Sequence, residues 1–156
     1  PICFRASHPL AFSLFYGYRL FRNSVFLVNS SAAGLEAQMR AIQKGDAVVA
    51  ISFAPYSRES LEVARHARQA GATLVALTDS NASPLARKAQ EVLVFSVSSP
   101  SFFPSIAAGM AITEALLEQL VADGGESVVA RIDEVEKMLF EAGSYVERPG
   151  RRGTGA

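Results

Sequence analysis

Apolar residues fall along the chain in two alternating textures. Short unbroken runs stand at 2–4 (ICF), 24–29 (SVFLVN), 46–52 (DAVVAIS), 72–78 (ATLVALT) and 91–97 (EVLVFSV). They are rich in Val, Ile, Leu and Phe and lack polar alternation, as strands buried on both faces do. Between them the apolar positions move to helical spacing. Residues 9–22 carry Leu10, Leu14, Tyr18 and Phe21, and residues 34–43 carry Leu35, Met39 and Ile42. Residues 57–70 place Leu61, Ala64 and Ala67 on one face, and Gly71 is the expected stop. Ser83-Pro84 opens a short helix over 83–89, a hydroxyl cap followed by Pro in the first turn.

Strand and helix alternating this often predict right-handed crossovers and a parallel sheet covered on both faces. After the fifth run the texture changes. A loop, SSPSFFPS, leads to two helices at about 105–122 and 126–142. Ile132, Val135, Met138 and Leu139 form a stripe on the second, which reads as core or as a dimer seam.

Composition narrows the picture. The 156 residues are the size of one domain, and 49% are hydrophobic. Lys+Arg and Asp+Glu both number 15, against the basic excess expected of a free-standing nucleic-acid binder. The arginines are scattered in sequence apart from Arg151 and Arg152. One cysteine, Cys3, excludes an intrachain disulfide and fits a reducing, cytoplasmic setting. No run is long enough to span a membrane. The chain opens on a strand without a starter Met, as a piece of something longer would, and 146–156 read as a disordered tail.

Candidate chemistry gathers at the predicted strand ends, where open parallel sheets bind ligands. The first gives Arg5-Ala6-Ser7-His8, the third Ser52 through Ser57, and the fourth Thr78-Asp79-Ser80-Asn81. Ser57 stands at the N-cap of the third helix. Its hydroxyl and the N–H groups of Arg58 and Glu59 can hold a phosphate, or simply cap a turn. Asp79 reads as capping its own turn or orienting a ligand hydroxyl. Two histidines and one cysteine give no metal-ligand spacing, and neither nucleotide-binding glycine motif is present, so neither metal nor cofactor is expected.

The loop SFAPYSRES (52–60), the segment ATLVALTDSNASPLARKAQEVLVFSV (72–97), with its TDSNASPLA, and the SPSFF after it resemble a sugar isomerase (SIS) domain. The nearer resemblance is to the effector domain of RpiR-type bacterial transcription regulators. It extends over about residues 1–143.

The resemblance implies an α/β fold, a three-layer α-β-α sandwich on a five-stranded parallel sheet of flavodoxin-like or Rossmann-like type. It assigns residues 1–145 to the SIS domain and implies an N-terminal helix-turn-helix domain in the full-length protein. The implied ligand is a sugar phosphate, the assembly a homodimer or tetramer, and DNA contact runs only through the upstream domain. Binding residues carried over or adjoining are Arg5, Ser7, Ser52, Tyr56, Ser57 and Thr78. Two departures stand out. Ala54 and Pro55 replace a Ser and a Gly of the family's third-strand loop, and Cys3 and Arg5 replace the glycines of its first.

Three functions follow as expectations. The first is a phosphosugar-sensing effector domain without catalytic residues. The alternative is a ketose–aldose phosphate isomerase, which needs an acid and a base from a sparse set: His8, Glu59, Glu114 and Glu118. The third is a dimerisation domain that has lost its ligand.

Overall fold

In a computed structural model of the chain, residues 1–2, 4–29 and 34–146 are described. Cys3 and residues 147–156, most of the expected tail, lie outside them. Three strands, β1 (Ala47–Ile51), β2 (Thr73–Thr78) and β3 (Glu91–Val94), form a parallel sheet in that order. Ala47 pairs with Thr73 and Ile51 with Leu77, while Val75 pairs with Glu91 and Thr78 with Val94.

Among the described residues, the first two predicted strands appear only as bridges. Ile2 bridges both Ala50 and Val28 in parallel. The Ile2 N–H donates to Val49, Ile51 donates to Ile2, and Val28 donates to Pro1. The lateral order is therefore the 24–29 segment, Ile2, β1, β2, β3. These bridges do not lengthen into ladders because Arg5, at φ 59°, turns the chain into a 3-10 turn (Arg5–Ser7) right after Phe4. The 24–29 segment then has too short a neighbour to pair with. Its backbone at Asn29 is served instead by the Gln38 amide, which accepts from the N–H at 3.0 Å and donates to the carbonyl at 2.9 Å.

The strand interior alternates between two cores, as a pleated strand must. Val48, Ala50, Leu74 and Ala76 face one side with Val63, Ala64 and Ala67 of α3 (Arg58–Gln69), with Leu35 and Met39 of α2 (Leu35–Arg40) packed against them. Ile51, Leu77, Val49 and Val75 face the other side. There they meet Leu10 and Ala11 of α1 (His8–Arg19) and Ile106, Met110 and Ile112 at the start of α4 (Ala107–Glu141). The result is the three-layer sandwich.

Close approach fixes α1 against α4. A Cβ on Gly17 would sit 2.6 Å from Leu117, and one on Gly109 would sit 2.8 Å from Leu10 and 2.9 Å from Phe95. Gly125, at φ 61° and ψ −156°, interrupts α4 and divides it into limbs of residues 107–124 and 126–141, close to the two helices expected from sequence.

Two expected elements are shorter than predicted. The 83–89 helix is a 3-10 turn (Ala86–Lys88), capped as anticipated by Ser83, whose hydroxyl accepts from Ala86 N–H at 3.0 Å. β3 ends at Val94 rather than 97. The Ser96 hydroxyl captures the Ser98 N–H at 3.2 Å, and Ser99 and Ser101 repeat the motif, so side chains outcompete the ladder for backbone donors.

Candidate functional site: the carboxyl ends of the strands

Strands that neighbour in space but not in sequence mark where ligands enter such sheets. Here that place lies between the Ile2 bridge and β1, which lead to α1 and α3 on opposite faces. Ser7 therefore stands at one helix N-terminus and Ser57 at the other.

The α3 end is fully built. Ser57 takes an extended backbone as the N-cap, and its hydroxyl accepts from Ser60 N–H at 3.2 Å. The Ser57 N–H donates to Ser52 Oγ at 3.3 Å. Ser52 and Ser57 are both buried, and it is the Ser57 backbone, not its hydroxyl, that meets the Ser52 hydroxyl. The Ser57 hydroxyl also donates to Glu59 Oε2 at 2.7 Å. Glu59 thus folds back over the helix end rather than pointing away. Its carboxyl is held below the ordinary glutamate range, chiefly by its own backbone N–H, then by the Ser57 hydroxyl. The guanidiniums of Arg5 and Arg58 act in the same direction, against the effect of burial. A carboxylate belonging to the chain lies where an incoming anion would be held.

Asp79 has a different role from the turn cap expected. It accepts from Tyr56 Oη at 2.9 Å, from Ala54 N–H at 3.3 Å and from the Thr78 hydroxyl at 3.3 Å. It clamps the loop after β1 onto the end of β2. Burial, followed by this bond and the Asp79 charge, pushes the Tyr56 hydroxyl above the ordinary tyrosine range, and Arg87 acts in the opposite direction. Thr78 is wholly buried, and the Tyr56 and Thr78 hydroxyls both donate to Asp79. The Ala54–Pro55 substitution lies in this clamped loop.

The α1 end is barer. The buried Ser7 hydroxyl donates to Phe4 O at 2.9 Å and caps no N–H of its helix, whose first turn contains no acidic residue. His8 is exposed and stacks on Phe12 at 6.0 Å. Arg5 is the one non-glycine residue at positive φ among the described residues. The turn keeps a backbone that favours glycine, which accounts physically for a glycine at this place in the resembled family. Its charge favours the ionised form of Glu59 at the α3 end.

Sequence reasoning passed over Ser60. Its hydroxyl is fully buried in the first turn of α3 and has no hydrogen-bond partner among the described residues. Small polar residues facing a sheet are easily read as spacers, so only the missing partner singles it out. Glu114 and Glu118 are exposed on α4. The scattered basic residues prove less dispersed in space: Arg65, Arg68, Arg87 and Lys88 line a groove of about 290 Å³. Among the described residues no group of His, Cys, Asp and Glu is arranged to hold a metal ion, and no helix is long and apolar enough to cross a membrane.

Comparison with known proteins agrees with this architecture. The family model of the SIS domain matches residues 4–122, more than half of the chain. The chain belongs to the SIS domain family. Among solved structures, this SIS domain is similar to the sugar isomerase domain of an RpiR transcription factor from Sphaerobacter thermophilus. The identity is 25%, the coverage is 87% of this chain and 75% of that one, and the TM-score is 0.74. It is also similar in fold to the Vibrio vulnificus NanR protein complexed with ManNAc-6P. That match has 20% identity and a TM-score of 0.74, covering 90% of this chain but only 54% of NanR. A candidate sugar-phosphate isomerase from Listeria monocytogenes shares the fold at 23% identity and a TM-score of 0.67, with 78% and 66% of the two chains covered. No curated protein matches the chain. The SIS domain is thus similar to a domain of an RpiR transcription factor and shares its fold with isomerase-like proteins.

Proposed function

We propose that this SIS domain is the sugar-phosphate-sensing effector module of an RpiR-type transcriptional regulator. The phosphate would lie over the N-terminus of α3, held by Ser52, Ser57 and the first-turn N–H groups, with Arg5 and Ser7 closing the crevice from the α1 side. Tyr56 and Thr78 would shape the site through Asp79. The observation that carries the reading is Glu59. Its carboxylate already takes a hydrogen bond from Ser57 and one from its own N–H, so this helix end holds an anion.

The sensor is preferred to an isomerase because two of the four candidate acids and bases have partners within the chain, while Glu114 and Glu118 are exposed on α4. His8 stacks on Phe12, and Glu59 is tied to Ser57. Proton transfer between adjacent carbons needs a group free to reach the substrate. Output would pass through a homodimer or tetramer to a helix-turn-helix domain that contacts DNA in the cytoplasm. A ligand moves such an assembly only if it binds its two arrangements unequally.

The test is a thermal-shift and calorimetry panel of ManNAc-6P, glucose 6-phosphate and inorganic phosphate, on the wild type and Glu59→Gln. Removing the resident charge should raise affinity for a bound sugar phosphate by about two- to fivefold, the scale of one charge at a helix end. Unchanged or weaker binding in the variant would remove the phosphate from α3. The pH dependence has a definite sign. The folded Glu59 pKa is depressed, so its stabilising contribution is present above the ordinary glutamate range and fades as pH falls through the lowered value. Acid titration of stability should be shallower in Glu59→Gln.

A further inference from the structure

The second limb of α4, residues 126–141, lies beyond the span matched by the family model. Neither hydrophobic core cluster takes in any residue after Ile112. The contacts that fix α4 to α1 lie in the first limb, at Gly109 and Leu117, and Gly125 interrupts the helix before the second limb begins. Yet this limb is rich in apolar side chains. Val128, Ile132, Val135 and Leu139 recur at intervals of four, three and four residues. That is the a and d spacing of a two-helix seam. Beside it, Val129 and Met138 are 46% and 58% exposed.

The charges are arranged to suit one partner. With Ile132 and Leu139 at a and Val128 and Val135 at d, Arg131 takes a g position and Glu136 an e position. In a parallel, in-register pair, a g residue of one helix faces the e residue five places on in the other. Arg131 and Glu136 stand at that separation, so two-fold symmetry would create the pair twice. An antiparallel pair would set g against g and e against e, and the match would be lost. Asp133, Glu134, Lys137 and Glu141 fall on the outer face. Within the chain Arg131 bonds Glu134 at 2.7 Å and Lys137 pairs with Glu141 at 3.8 Å, both on exposed side chains.

We infer that residues 126–141 form a parallel two-helix seam with a second copy of this chain, fixed in register by Arg131 of one copy against Glu136 of the other. This deepens the assembly part of the proposed function by naming its surface and orientation. The seam is complementary to itself, as an interface between identical copies must be. The limb is about 24 Å long at the usual helical rise. A lone helix of that length is marginal in water, so partner burial also supplies its stability.

Light scattering across a dilution series on the full chain tests the inference. The wild type should be dimeric. Arg131→Glu and Glu136→Arg should each raise the dissociation constant by at least about tenfold, and the double exchange should restore it, since only the pairing is reversed. On a Cys3→Ser background, Val128→Cys should give an oxidised, disulfide-linked dimer. In an antiparallel pair that position meets the far end of its partner and no such link forms. A monomeric wild type, single reversals without effect, a failed rescue, or no cross-link at position 128 would each overturn it. Thermal shift with ManNAc-6P and glucose 6-phosphate on the same variants separates the two readings. Ligand response retained in a dissociated variant leaves the site standing without the seam, and an intact dimer that responds to neither leaves the seam without the site.

Discussion

The two helix N-termini that flank the crevice are built to opposite plans. At α3 the N-cap hydroxyl bonds Ser60 N–H, a carboxylate covers the end, and Asp79 anchors the approach from a neighbouring strand. At α1 the corresponding serine turns back to Phe4 O, no acid is present in the first turn, and the approach passes through Arg5 in a left-handed turn. The same sheet edge therefore carries one end already neutralised and rigid, and one end left positive. A ligand with a phosphate at one extremity and hydroxyls at the other would meet different resistance on the two sides. On the α3 side it must displace an internal anion. On the α1 side it would add charge where none opposes the helix dipole.

The largest test of this contrast removes the clamp. Asp79→Ala deletes the acceptor for Tyr56 Oη and Ala54 N–H and should cost about 2 kcal/mol in denaturant unfolding, the scale of hydrogen bonds to a charged group. It should also loosen the loop after β1, seen as faster amide exchange at Ala54. A cost near zero would mean that the rigidity of the α3 end comes from elsewhere. Next come the two serines. Ser57→Ala removes a functioning cap and should cost about 1 kcal/mol. Ser7→Ala removes one bond to a carbonyl and should cost about half as much. Equal costs would erase the difference between the two ends.

Part of this was legible in the sequence, and the division follows the range of the forces involved. The Ser57 cap and the start of α3 were readable because capping acts over three residues. The core faces of β1 and β2 were readable because burial on both sides leaves uninterrupted apolar runs. The 24–29 segment has the same texture but not the ladder, because a ladder depends on a neighbour, and that neighbour turns away at Arg5. The clamp made by Asp79 was hidden for the same kind of reason. Its partners Tyr56 and Ala54 lie 23 and 25 residues away, beyond the reach of local turn chemistry. The grouping of Arg65 and Arg68 on α3 with Arg87 and Lys88 was equally hidden, since the fold alone brings the two pairs together.

The effect of changing Arg5 has two signs. Arg5→Gly relieves a side chain from a left-handed backbone and should stabilise the fold by about 0.5–1 kcal/mol. The same change withdraws a charge from the crevice and should weaken sugar phosphate binding. Greater stability with unchanged binding would remove Arg5 from the site and make both helix ends depend on backbone donors alone.

The glycine contacts between α1 and α4 bear on how a signal could leave the crevice. Gly17 packs against the Leu117 side chain, and Gly109 against the side chains of Leu10 and Phe95, so a methyl group at either glycine would have to push a side chain aside. Close-packed contacts transmit displacement rather than absorb it. A tilt of α1 at its Ser7 end would press on the first limb of α4 through these side chains, with Gly125 as the elbow of a lever. A small push at the strand ends would reappear, redirected, as a swing of the second limb.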